Sequence, residues 1–378
     1  MAASIRRFTK RVLIIINIVV AAFFLLACLA PYMDTSKWWF MSILALGFPF
    51  LLLAMVLFLF FWLFVKFRYV FISVIALLIG WKNISRLFAF HAQNTFNYAK
   101  PKDVLRIVTW NVARFIELKK NANEGSQVRM KMMDLIKQQN ADILCLQEFH
   151  TSINPDYYNN IEYIQKALGY PYFYFSYEVD SKDHWYSSII FSRLQMIDTG
   201  KVYYPKPGIT EVLLHADLKL NNDTIRVFNT HLQSVLFEKK DYRKIERIEH
   251  ANDSLLQNSK SIFSKLRKGA MTRGRQANTA KETIAQSPWP VLFTGDLNDV
   301  PGSYTYSTIR GDMQDVFLQK GMGIGRTFTS LSPTLRIDYI FADKSFSILQ
   351  YKKYVKELSD HYMQVADVKL LNPRPVTE

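Results

Sequence analysis

In the second part of this 378-residue sequence, apolar runs stop repeatedly at residues able to hold a cation or move a proton. TWN ends at Asn111, CLQE at Glu148, and NTH at His231 after Asn229; TGDLN carries Asp296 and Asn298, RID ends at Asp338, and SDH supplies Asp360 and His361. Any one of these, buried alone, is more often a satisfied hydrogen-bonding group than a catalyst. Six strand ends with the same habit point instead to one shared cleft. Carboxylates gathered in a cleft repel one another unless a cation neutralises them, which implies a metal. Oxygen ligands, without a cysteine cluster or a histidine pair at zinc-protease spacing, suit Mg²⁺ or Mn²⁺ better than zinc. Such an ion, histidines and an aspartate that orients water are the parts needed to hydrolyse a phosphoester. The sequence has no Walker-type glycine loop and no GxSxG elbow, which weighs against nucleotide-loop and serine-hydrolase chemistry.

Short apolar runs at 105–110, 142–146, 187–191, 211–220, 224–229, 291–294, 337–341 and 363–370 read as the strands that present these ends. Helical patterning suits 127–139, 157–168 and much of 239–285. That many strands with interspersed helices implies a two-sheet α/β domain. The stretch 237–288 is rich in Lys and Arg, as a nucleic-acid or phospholipid surface would be, but it also carries acidic residues and reads first as a solvated helical face.

The ordered set TWNVARF, DILCLQEFH, SSIIFSR, VFNTHLQS, VLFTGDLNDVPGS, RIDYIFAD and SDHYMQVADVKL resembles the endonuclease/exonuclease/phosphatase superfamily, the DNase I-like metal-dependent phosphodiesterases, over roughly residues 103–372. The resemblance implies a four-layered α/β sandwich with its active site at one edge of the paired sheets. It implies metal ligation by Glu148, with Asn111 holding metal and phosphate and Asp360 near the metal. Asp296 and Asn298 would orient or deprotonate the attacking water and stabilise the transition state. Asp338 would hold His361 in the tautomer that contacts the scissile phosphate, and His231 would contact phosphate or protonate the leaving group. Trp185 and Tyr186 depart from the pattern, since many members have a small residue there. The carboxylate that pairs with His231 is left open among Glu178, Asp180 and Asp183. Ser303 reads as a helix N-cap.

The composition divides the chain. Its formal net charge is +15, yet the first hundred residues hold ten basic residues and one acidic residue, Asp34, leaving +6 on the remainder. Two cysteines, Cys28 and Cys145, exclude a disulfide-stapled design. Residues 12–33 and 38–65 carry no formal charge and exceed the roughly 20 residues that cross a hydrocarbon core of about 30 Å. A third stretch, 69–90, spans if Lys82 and Arg86 snorkel to the headgroups. Basic residues before the first run and after the second place the N-terminus in the cytoplasm. The expectation is therefore a membrane region at 1–100 with two or three helices, three preferred, and a catalytic domain at 101–378. Three spans put that domain on the outer, periplasmic side of the cytoplasmic membrane. The expected substrate is a phosphodiester of nucleic acid or of a lipid headgroup; the alternative is an inactive, membrane-anchored binding module of the same fold.

Overall fold

The computed structural model describes residues 2–91, 95–120, 127–205, 212–235 and 255–371. Its contacts divide it into two units, one formed by Met1–Phe88 with Val235–Gly274 and Val300–Thr308, the other by Ala89–Ser234, Arg275–Asp299 and Ile309–Glu378. The first part of the expected helix 239–285, up to residue 254, lies outside the described residues.

In the first unit, helices α1 (Ala2–Ala27) and α2 (Phe40–Val65) are long and apolar enough to cross a membrane. Their outward faces expose Ile15, Ile16, Phe23, Phe50, Leu53, Leu57 and Phe60, a surface suited to hydrocarbon rather than water. The third apolar stretch is no single straight helix to residue 90. It forms α3 (Val70–Ile79) and α4 (Trp81–Leu87), bent by 66° at Gly80. Gly80 lies against α1: a Cβ there would meet the Phe24 ring at 2.5 Å. Alongside α1, Tyr69 stands 5.7 Å below Lys10, Ser73 bonds Asn17 at 3.5 Å, and the Asn83 amide donates to the Cys28 carbonyl at 2.8 Å. The bent pair thus keeps pace with α1 along its length. In the last segment of this unit, the Ser303 hydroxyl accepts from the Tyr306 N–H at 3.1 Å, the expected N-cap.

The second unit begins at a short strand, β1 (Ala89–Phe90), paired with β12 (Met322–Gly323). One sheet contains β2 (Leu105–Asn111), β3 (Ile143–Ser152), β4 (Tyr172–Phe175), β5 (Val179–Ser181), β6 (His184–Ser192), β14 (Phe346–Tyr354) and β15 (Met363–Leu370), ordered β14-β15-β2-β3-β6-β4 with β5 on β6. The other contains β7 (Met196–Tyr203), β8 (Val212–Leu220), β9 (Asp223–His231), β10 (Val291–Asp296), β11 (Gln314–Asp315) and β13 (Asp338–Ala342), ordered β11-β13-β10-β9-β8-β7. Every residue of β2 is buried because both faces are covered. Ile107, Ile143 and Cys145 pack between the sheets against Leu214, Val227 and Leu292. Val108, Trp110 and Leu144 face the other way, onto α5 (Val128–Gln139) and α6 (Asn160–Leu168) through Met132, Ile136 and Ile164. Helix α7 (Leu255–Ala285) gives its turns from Arg275 onward to this unit. The four-layered α/β sandwich expected from the sequence is the architecture found.

Candidate active site

Strands β2, β3, β9, β10 and β13 bring their polar ends to one edge of the paired sheets. Parallel pairing of β2 with β3 sets Asn111 opposite Gln147, and parallel pairing of β9 with β10 sets His231 opposite Asp296. Antiparallel pairing of β10 with β13 then sets Asp296 opposite Asp338. Five strand ends so arranged would be ordinary if the side chains diverged; here they converge.

Local backbone geometry aims them. The ladder between β3 and β6 is irregular between Leu146 and Phe149, and Glu148 adopts φ +50°. A bulge of this kind re-aims a side chain. It turns Gln147 inward between the sheets, where its amide donates to Thr109 Oγ1 at 3.0 Å and to Asn229 Oδ1 at 2.6 Å, while Glu148 reaches the cleft. Asn298 is likewise left-handed, at φ +50°. After Asn111 comes a turn in which Ala113, Arg114, Phe115 and Ile116 all have positive φ without a glycine among them. Left-handed backbone costs about 1–2 kcal/mol per such residue, and strain of this sort concentrates at functional sites. The turn lets the Ala113 N–H donate to Asn111 Oδ1 at 3.1 Å. That fixes the amide so that Nδ2 donates to Glu148 at 3.2 Å and Asp296 at 3.1 Å.

Asp296 is the centre of the group. Its Oδ2 lies 3.6 Å from His231 Nε2 and 3.7 Å from His361 Nε2, and its Oδ1 accepts from the Asn298 N–H at 2.8 Å. Burial, and then the neighbouring Asp338 carboxylate, raise the Asp296 carboxyl to about 6. Asp338 meets His361 Nδ1 with both oxygens, at 3.0 and 3.1 Å. Burial alone would lower the His361 pKa, but Asp338 and Asp296 outweigh it and raise the imidazole to about 10. His231 Nε2 lies 3.0 Å from Asn298 Nδ2 and 3.8 Å from Glu148.

Asp296, Asp338 and His361 each bring a ligand atom within 4.8 Å of the others, so by distance alone this trio could hold a metal. The chemistry favours another placement, because Asp338 and His361 are engaged with each other and a protonated imidazole does not ligate. Glu148, 28% exposed, opens to solvent, as does the neighbouring Asp360. The resemblance gave the ion to Glu148 with Asn111 and Asp360; among the described residues, the acidic and histidine ligand atoms that lie within 4.8 Å of one another are those of Asp296, Asp338 and His361. Asp360 is exposed, and the Ser359 hydroxyl has the Asn111 carbonyl at 2.8 Å and Asp360 Oδ1 at 3.2 Å as alternative acceptors for its one proton.

Every residue expected at the site lies in this group or borders it, but Asn229 has another task. Its amide donates to the carbonyls of Leu146 and Ile189, tying one sheet to the other. Of the three carboxylates left open as partners of His231, Glu178 is bonded to Lys201 and Asp180 to Arg114, while Asp183 gives its carbonyl to Ser152. Carboxylates within 4 Å of His231 include Asp296 and Glu148. Tyr186, the departure noted in the sequence, lies under Arg114 at 4.0 Å and forms a wall there. Four positioning residues were not singled out from the sequence: Gln147, Ser359, Trp110, whose indole donates to the His361 carbonyl at 2.9 Å, and Thr327, whose hydroxyl accepts from the Asp338 N–H at 3.1 Å. Trp110, Gln147 and Ser359 lie inside TWN, CLQE and SDH; Thr327 has no signal, since its role exists only across the fold.

The sequence profile of the endonuclease/exonuclease/phosphatase family matches residues 108–361, and a domain of unknown function matches residues 10–87. No curated protein matches the chain. Among solved structures, the endonuclease/exonuclease/phosphatase from Beutenbergia cavernae is similar at 21% identity and a TM-score of 0.51, over 71% of this chain and 72% of that one. The human Nocturnin catalytic domain, solved with a bound sulfate anion, is similar at 14% identity and a TM-score of 0.50, over 72% of this chain and 96% of that one. At these identities the likeness is one of fold.

Proposed function

The chain belongs to the endonuclease/exonuclease/phosphatase family, and from that premise we propose that it is a membrane-anchored phosphodiesterase dependent on Mg²⁺ or Mn²⁺. The observation that carries this reading is Asp296 set between two imidazoles and joined through Asn111 to an open carboxylate, Glu148. Glu148, Asn111 and Asp360 would hold the ion, which when bound neutralises charge on the phosphoryl oxygens. Asp296, with its carboxyl near 6, is suited to take a proton from water at neutral pH. His361, kept protonated by Asp338, offers its Nε2–H to a phosphoryl oxygen where negative charge develops. The Asn298 amide and His231 sit beside it to stabilise the same charge or protonate the departing oxygen.

The membrane part of the proposal is supported by the outward apolar faces of α1 and α2. Three crossings, with the catalytic unit outside the cytoplasm, are supported by the pairing of Tyr69, Ser73 and Asn83 with successive levels of α1. The substrate is a phosphodiester of nucleic acid or of a lipid headgroup. The test is a panel of DNA, RNA, sphingomyelin, phosphoinositides and bis-nitrophenyl phosphate, offered to the full chain in detergent with Mg²⁺ or with EDTA. Turnover that needs the ion is expected; turnover in EDTA contradicts the metal mechanism, and none on any ester favours the inactive binding module.

A further inference from the structure

At the end of the helical unit where the chain begins, α1 and α2 border a recess of about 910 Å³. Arg6, Arg7 and Lys10 line it from α1, and Lys66 lines it from just beyond the end of α2, while Phe61 and Trp62 supply apolar surface. Among the described residues, no acidic residue lines it. Asp34, the one acidic residue of the first hundred, stands in the connection between the two helices at their other end. Trp62 is fully buried, yet its indole N–H has no hydrogen-bond partner. A buried donor left unpaired is costly, and an oxygen anion in the recess would relieve it. Phe64, 84% exposed beside this recess, continues an apolar surface along α2.

We propose that this recess binds the phosphate headgroup of one anionic phospholipid, drawn from the leaflet that faces the N-terminus. Cations that serve only to orient a helix attract anionic lipids diffusely. Here they converge from two helices on one recess beside an unpaired aromatic donor, and basic recesses between membrane helices select acidic headgroups over zwitterionic ones. The lipid's acyl chains would lie along the exposed apolar face of α2. The inference rests on α1 and α2 lying in a bilayer, but not on the proposed reaction.

The test is native mass spectrometry of the full chain in nonionic detergent, with phosphatidylglycerol, phosphatidylcholine or inorganic phosphate added. One phosphatidylglycerol per chain is expected to persist where phosphatidylcholine is stripped. Arg6→Gln with Lys66→Gln should weaken it about fivefold per charge removed, which converts to about 1 kcal/mol each. Trp62→Phe, which keeps a ring and removes the N–H, should weaken it with all four cations in place. Equal retention of both lipids, unchanged binding in both variants, or occupation by inorganic phosphate alone would overturn the proposal. Alkaline carbonate extraction separates the two premises: release from membranes sinks the bilayer reading, whereas an integral chain without a selective lipid sinks only the lipid site.

Discussion

Asp296 has two imidazoles within 3.7 Å and a second carboxylate, Asp338, paired across the strands. Burial first and the Asp338 carboxylate second, against the imidazoles that lower it, raise its carboxyl to about 6. Asp296→Asn keeps the shape and removes the base, and His361→Ala removes a cation aimed at the phosphoryl group. Each should lower turnover on bis-nitrophenyl phosphate by orders of magnitude with an unchanged circular dichroism spectrum; a normal rate in either would end the assignment. His361 also makes stability depend on pH. It keeps its proton to about 10 in the folded chain, whereas an unfolded histidine titrates near 6.5. Its contribution is therefore complete below about pH 6.5 and lost as pH rises through 10. Asp296, raised from 3.8 to about 6, acts below that window. In EDTA, the thermal midpoint should fall between pH 6.5 and 10, and fall less in His361→Ala; identical slopes would contradict the pairing with Asp338.

The sandwich is held in register at the cleft by polar residues between the sheets. Asn229 on β9 accepts from Gln147 and donates to carbonyls on β3 and β6. Replacing it with Leu leaves those three groups without this partner, at about 1–3 kcal/mol for each that stays unsatisfied. Asn229→Leu should therefore lower the thermal midpoint by roughly 6–12 °C for a loss of about 3 kcal/mol, given 2–4 °C per kcal/mol in a unit of this size. A midpoint within a degree of the wild type would show that the clamp contributes little. Gly295 is required for a related reason: a Cβ there would stand 2.5 Å from the Thr230 carbonyl on the adjacent parallel strand. The glycine of GDLN thus serves the approach of β10 to β9, and through it the approach of Asp296 to His231.

Across the whole chain, the +15 charge has two meanings. The first hundred residues carry +9 beside apolar helices, where in the proposed membrane setting cations would orient spans and meet lipid headgroups, and the rest carries +6 with an anionic substrate proposed. The bend at Gly80 shortens α3 to ten residues, about 15 Å of helix, so a crossing needs α4 as its continuation. A reporter active only in the periplasm, fused after residue 100, should report. Silence there, with signal from a cytoplasm-active reporter, would reverse the placement.

The candidate site was legible in the sequence because acid–base residues at strand ends are local features: Asn111, Glu148, His231, Asp296, Asn298, Asp338, Asp360 and His361 each follow or precede an apolar run. The long apolar helices were legible for the same reason, since a run without charge needs no partner to be recognised. The fold decided what depends on residues distant in the chain. It assigned Asn229 to a clamp and gave Glu178 and Asp180 basic partners of their own. It made Thr327 and Ser359 the supports of Asp338 and Asn111. Above all, it set the ionisation of Asp296 and His361. A sequence records which groups can titrate; burial and the distance to the next charge exist only once the strands have paired.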